Sequence, residues 1–117
     1  MLPNTNADQM HEVFTQVSDY FTLLGEPTRL KILYALCESE RAVGDIVVQT
    51  GSTQANISRH LGLLYRAKIL GRRREGTQVY YRLLDENTMK LCKTVCTQVS
   101  LRVMQTSVVS ALVTNSS

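Results

Sequence analysis

The chain has 117 residues, enough for one small core and too few for two, with 44% hydrophobic and 20% charged residues as in an ordinary soluble globular protein. The net charge of +3 says little by itself about partners. No apolar run approaches a bilayer span and no Lys or Arg precedes Arg29, so a membrane protein and a secretory n-region are excluded and a cytoplasmic location is expected. Residues 1–7 (MLPNTNA) read as a flexible terminus. Over 8–24, Met10, Val13, Phe14, Val17, Tyr20, Phe21 and Leu24 recur with helical spacing, which predicts a helix with one broad apolar stripe. Gly25-Glu26-Pro27 ends it. Pro27 suits the first turn of a second helix over 27–38, with Leu30, Ile32, Leu33, Leu36 and Cys37 inward. Residues 39–42 link to a third helix over 43–50, which turns Ile46 and Val47 inward. Gly51 stops that helix, and Ser52 is the expected N-cap of a fourth helix over 53–67. The period then switches. Thr77, Val79 and Tyr81 alternate with Gln78, Tyr80 and Arg82, and Glu75-Gly76 supplies a reversal, so a hairpin is expected over 70–74 and 79–83. Asp85 can cap a last helix that starts at Glu86 and ends between Gln105 and Val109, with Met89, Leu91, Cys92, Val95, Cys96, Val99 and Val103 on one face. The predicted fold is mainly α with a small β-hairpin, one domain over 8–109 followed by a flexible 110–117.

The centre of this order carries the functional signal. The fourth helix sets Ala55, Ile57, Leu61, Leu63 and Leu64 on a packed face and Gln54, Asn56, Ser58, Arg59 and His60 on a polar one. Residues 59–82 hold seven basic groups, Arg59, Arg66, Lys68, Arg72, Arg73, Arg74 and Arg82, against the single acid Glu75. That segment is +6 and the rest of the chain −3. A basic stripe on a slightly acidic body is the footprint of a polyanion-binding face. Two short helices around Gly51, followed by an arginine-rich hairpin, make a winged helix-turn-helix. Its helix suits a DNA major groove and its ribbon the flanking phosphates. A winged helix used only for protein binding is the alternative; Gln54, Asn56 and the arginines of the wing weigh against it. The apolar stripes of the first and last helices exceed what one small core can cover, so a dimer through these two helices, reading paired half-sites, is expected. An enzyme is not expected. His11 lies on an amphipathic helix and His60 on the polar face, and Cys-His nucleophilic chemistry would need a third orienting group and a pocket.

The runs EPTRLKILYALCESERAVGDI, STQANISRHLGLL and RREGTQVYYRL resemble the ArsR/SmtB family of bacterial winged-helix repressors, over roughly residues 20–97. The resemblance implies a homodimer of order α1-α2-α3-αR-β-β-α5 that binds double-stranded operator DNA and releases it when an inducer is sensed. It implies that Gln54 and Asn56 face bases and that Ser58, Arg59 and His60 lie near the backbone. With the start of the helix and the wing, the candidate DNA surface is Ser52, Thr53, Gln54, Asn56, Ser58, Arg59, His60, Arg72, Arg73, Arg74 and Gln78. The departures are informative too. Members that sense metals at the start of the recognition motif carry two cysteines in an ELCVCDL-like run, where this chain has Ala42 and Gly44. Members that bind zinc on the last helix need histidines there, and residues 85–109 contain none.

Three cysteines remain, Cys37, Cys92 and Cys96, an odd count that argues against a structural disulfide framework in a reducing compartment. Persulfide-sensing members pair one cysteine on the second helix with one on the last. Aligned on the PxRL and YRL anchors, those places fall at Tyr34, three residues before Cys37, and near Ser100, four after Cys96. In an antiparallel packing both displacements are about one turn in the same direction, so Cys37 and Cys96 become the candidate pair. Cys92 and Cys96 are four apart, with Cβ atoms about 5–6 Å from each other, wider than the roughly 3.5–4.5 Å of a disulfide. A polysulfide or a shared soft ion would span that gap. Three readings stay open. One is a repressor released by oxidation or persulfidation; another is a three-thiolate site from Cys37, Cys92 and Cys96 for arsenite or another soft metal ion. The third is thiols packed as small apolar side chains. Beyond such an inducer, no cofactor is expected.

Overall fold

A computed structural model describes residues 6–115. The elements are α1 (Ala7–Leu24), α2 (Pro27–Ala35), β1 (Arg41–Ala42), α3 (Val43–Thr50), α4 (Gln54–Arg66), β2 (Leu70–Glu75), β3 (Gln78–Leu83) and α5 (Glu86–Asn115). Residues 1–5 and 116–117, parts of the two expected loose ends, lie outside the described residues. The chain divides into two compact units, one up to Leu84 and one from Asp85.

In the first unit, Asn6 closes the start of α1 in a capping box with Gln9, which satisfies two otherwise orphaned backbone donors. Leu24 is the buried residue of α1, while Phe14, Val17 and Phe21 stand exposed along its stripe. Glu26 caps α2 through the Arg29 N–H at 2.9 Å, and Pro27 occupies the first turn as expected. Two expectations for α2 need correction. The helix ends at Ala35 rather than residue 38, and Leu30 is exposed while Ile32, Leu33 and Leu36 are buried. Cys37 lies beyond the helix and is half-buried.

The helix-turn-helix begins with α3, whose bounds match the sequence expectation. Gly51 follows it with φ +69° and returns its N–H to Val47 O at 3.0 Å, a left-handed closure that glycine adopts without a Cβ penalty. The N-cap of α4 is Thr53, not Ser52: Thr53 Oγ1 accepts from Asn56 N at 3.2 Å. Ser52 Oγ instead accepts from the Asn56 side-chain amide at 2.8 Å. α4 ends in a Schellman arrangement, with Lys68 N donating to Tyr65 O and Ile69 N to Leu64 O. Lys68 takes the left-handed position at φ +65°, where most such motifs use glycine. The expected end at residue 67 coincides with the C-cap Ala67, one residue past the last helical residue Arg66.

The wing has three strands in the order β1-β3-β2, one more than the predicted hairpin. β1 pairs antiparallel with β3 through Arg41↔Tyr81 and Ala42↔Tyr80. β2 and β3 pair from Leu70↔Leu83 to Glu75↔Gln78, leaving Gly76-Thr77 as a two-residue loop with Gly76 at φ +62°. Helices α2, α3 and α4 close over this sheet. Ile32, Ile46, Ile57, Leu61, Leu64 and Leu70 are fully buried between them, each contributing about 1.5–3 kcal/mol of apolar burial.

The second unit is α5. Asp85 opens it as expected, with Oδ1 accepting from Asn87 N at 2.9 Å. The helix continues to Asn115, past the predicted Gln105–Val109 window. Val95, Val99, Val103, Met104 and Leu112 are exposed along it. No helix among the described residues is long and apolar enough to cross a membrane.

Candidate nucleic-acid interface

Gln54, Ser58 and Tyr65 fall at steps of four and seven along α4 and therefore share one flank of the helix. That flank forms the wall of an open cleft of about 820 Å³. Val43 and Gly44 of α3 also line it, and the opposite wall is the wing, with Arg72, Arg73, Arg74, Thr77, Gln78, Val79 and Tyr81. The register explains the composition of that wall. Arg72 opposes Tyr81 and Arg74 opposes Val79, so these four side chains share one face of the sheet, while Arg73 and Tyr80 point to the other.

The three wing arginines therefore have different surroundings. Arg72 lies with Cζ 3.9 Å over the Tyr65 ring, and a side-chain hydrogen bond to Tyr81, then the nearby Tyr65, hold its pKa above the ordinary value. Arg73 is neutralised on the back face. Its guanidinium donates to both carboxylate oxygens of Glu40 at 2.7–3.0 Å and to Glu75 Oε2 at 2.7 Å, and its Cζ stands 4.6 Å over the Tyr80 ring. Arg73 in turn holds Glu40 below the usual carboxylate range. Arg74 is exposed and makes no hydrogen bond or ion pair among the described residues.

The other expected DNA residues form a separate cluster on α4. Gln54 and Asn56 are two positions apart, about 160° round the helix from each other, so they occupy opposite flanks. Asn56 is half-buried and committed at both ends of its amide, to Ser52 Oγ and, through Oδ1, to Arg59 Nη2 at 2.9 Å. Arg59 is exposed. His60, expected near the DNA backbone, is 3% exposed and belongs to the interior of the unit. Its ring lies between Arg29 and Arg59, and burial first, then these cations against the opposing Glu26, lowers its pKa. The cleft thus gathers Gln54, Ser58, Arg72, Arg73, Arg74 and Gln78, with the Arg73 guanidinium held by Glu40 and Glu75, while Thr53 serves as cap and Ser52, Asn56, Arg59 and His60 lie to the side. Sequence reasoning missed Tyr65, although its spacing from Gln54 and Ser58 marks the same flank. It also missed Glu26, Arg29 and Glu40, whose partners lie 31–34 residues away and leave no periodic trace.

Cys37 and Cys92 are half-buried and Cys96 is exposed. Among the described residues no three His, Cys, Asp or Glu side chains gather to hold a metal ion.

Residues 26–70 match the family model described as bacterial regulatory protein, arsR family. The chain is 30% identical over 101 residues to the biofilm growth-associated repressor of Xylella fastidiosa strain Temecula1, covering 83% of this chain and 89% of that one. It is 33% identical over 75 residues to the HTH-type transcriptional regulator KmtR of Mycobacterium tuberculosis, a match over 64% of this chain that spans 58% of KmtR. Among solved structures, the transcriptional repressor BigR from Xylella fastidiosa is similar with a TM-score of 0.69 at 29% identity, over 80% of this chain and 95% of that one. A homodimeric winged helix-turn-helix DNA-binding domain from Mycobacterium bovis gives a TM-score of 0.74 at 29% identity, over 88% and 95%. The chain belongs to the ArsR family of bacterial regulatory proteins, which are DNA-binding transcriptional repressors rather than enzymes.

Proposed function

We propose that this chain is a cytoplasmic, homodimeric repressor released from operator DNA by a thiol-reactive inducer. In this reading α4 enters a major groove, the wing covers flanking phosphates, and the inducer acts at Cys37 together with Cys96 or Cys92. The observation that carries the DNA half is the cleft in which Gln54 and Ser58 face Arg72 and Arg74. A Gln amide pairs with adenine through two hydrogen bonds worth roughly 1–3 kcal/mol of discrimination, and arginine forks suit phosphate oxygens. Dimerisation is supported by the exposed Phe14, Val17 and Phe21 of α1 and Val95, Val99 and Val103 of α5, apolar surface that a second copy would cover.

The thiol half rests on accessibility. Cys96 is exposed and Cys37 half-buried, so an oxidant or persulfide has access to both. With peroxide as oxidant, the two thiols lose two protons and two electrons, one S–S bond forms, and peroxide leaves as two waters. A crosslink relieves repression only if it favours a dimer geometry in which the half-site spacing of roughly 34 Å is lost. A second reading is soft-ion sensing, favoured by Cys92 and Cys96 standing one helical turn apart on α5, with Cys37 as the third thiolate.

The test begins with an operator selected by the wild type from a random duplex pool. Gln54→Ala should weaken binding to the selected site and leave mixed-sequence binding nearly unchanged. Peroxide or an organic persulfide should release the wild type and fail on Cys37→Ser and Cys96→Ser. Release by arsenite alone, lost in all three Cys→Ser variants, would favour the metalloid reading. Absence of any salt-dependent duplex binding would leave a protein-interaction module.

A further inference from the structure

The ring of His60 has a hydrogen-bonding conflict whose resolution bears on α4. Arg29 Nη1 lies 3.2 Å from Nδ1, and Arg59 Nη2 lies 3.3 Å from Nε2. A guanidinium only donates, and a neutral imidazole offers one lone pair. The ring can therefore accept from one arginine and must turn an N–H toward the other. Protonation would remove even that single acceptor.

The surroundings decide between the two tautomers. Arg29 is the fixed partner: it is part-buried, and its Nε donates to Leu23 O at 2.6 Å. Arg59 is exposed and has another acceptor in Asn56 Oδ1 at 2.9 Å. The Glu26 carboxylate, held at the start of α2 by the Arg29 N–H, stands 3.8 Å from Nε2 and favours a proton there. Nδ1 accordingly accepts from Arg29, and Nε2 carries the hydrogen.

We infer that Arg29 and Glu26 are positioning residues for DNA binding that act through His60: they fix the Nε2–H tautomer, which denies Arg59 an inward acceptor and leaves its guanidinium available to a phosphate. This rests on the DNA-binding reading above. His60 then serves as an internal spacer beneath α4, and the corner between α1 and α2 sets how far Arg59 reaches. With Arg29 removed, the proton moves to Nδ1, Nε2 accepts from Arg59, and the charge is drawn back onto the protein.

Nitrogen NMR of the imidazole ring in the ¹⁵N-labelled wild type, at a pH of about 7.5 and so above the ordinary histidine pKa, reads the tautomer directly. A protonated Nε2 with a bare Nδ1 is expected, and the reverse overturns the inference. In titrations of a mixed-sequence duplex against salt, Arg59→Gln should lower the salt slope by about one unit. Arg29→Met should give the same loss, add nothing in the double variant, and shift the ring to the Nδ1–H form; Arg29→Lys should restore both readouts. Additive losses, or a tautomer unmoved by Arg29→Met, overturn the inference. Should Arg29→Met fail to fold, the wild-type ring spectrum and the Arg59→Gln slope still decide it. Absence of salt-dependent duplex binding by the wild type sinks the DNA reading and the inference together, whereas an unchanged slope in Arg59→Gln sinks the inference alone.

Discussion

Arg72 on β2 lies 3.9 Å over the ring of Tyr65 on α4, so the wing and the reading helix are clasped by a cation and an aromatic face. A cation over an aromatic face is attracted by the negative face of the ring, so the pair should stabilise the contact between the two elements. Tyr65→Leu and Arg72→Gln should therefore show a favourable coupling in a double-mutant cycle of urea unfolding. Additive losses would mean that the two side chains merely sit near each other.

The wing arginines should separate by function. Arg74 is unengaged and shares the cleft face, so Arg74→Gln should reduce the salt slope of duplex binding by about one unit. Arg73 is held by Glu40 and Glu75 on the opposite face, and Arg73→Gln should leave that slope unchanged. Its effect on stability should be small, as for other solvent-facing ion pairs. A slope that falls with Arg73→Gln and holds with Arg74→Gln would reverse the assignment of faces.

Stability should fall as the pH drops below about 6.5, the ordinary histidine value, and towards the lowered pKa of His60. In that window the unfolded chain binds a proton that the folded chain refuses, so stability rises with pH. The contribution is complete above 6.5. Glu26, lowered chiefly by the Arg29 N–H, and Glu40, lowered by Arg73, lose their share only as pH falls below 4.5. His60→Gln should flatten the upper limb of a stability-against-pH curve and leave the acid limb in place. An unaltered upper limb would show that another group controls it.

The two ends of α4 should respond in opposite directions. Thr53→Ala removes the cap and should cost about 0.5–2 kcal/mol in urea unfolding, more than Ser52→Ala. Lys68→Gly relieves a left-handed residue and should stabilise by up to about 1 kcal/mol. Destabilisation by Lys68→Gly would mean that the lysine side chain contributes more than its backbone costs.

Much of the fold was readable because its signals are local and periodic. The 3.6-residue pattern with Gly51 placed α3, and alternation with Gly76 placed the wing. The misses have physical causes. A two-residue strand such as β1 has no period to detect. Leu30 kept the helical spacing of a core residue while facing outward. At the candidate site, the polar residues of α4 were found but not sorted. His60 is buried because Arg29 and Glu26 supply its polar partners, and Arg73 is silenced by Glu40 from 33 positions away. Such distant pairings become visible only when the chain is folded.

Ala42 has two memberships at once, as the last residue of β1 paired with Tyr80 and as the N-cap of α3. With no spacer residue between them, the first helix of the DNA-reading pair and the wing have no swivel. Torque applied to the tip of the wing is delivered to the start of α3, and a tilt of α3 drags the ribbon with it. The molecule can therefore tolerate a longer tip at Gly76-Thr77, which would only lengthen the lever. One residue inserted between Arg41 and Val43 would uncouple ribbon from helix and leave each to find the double helix alone.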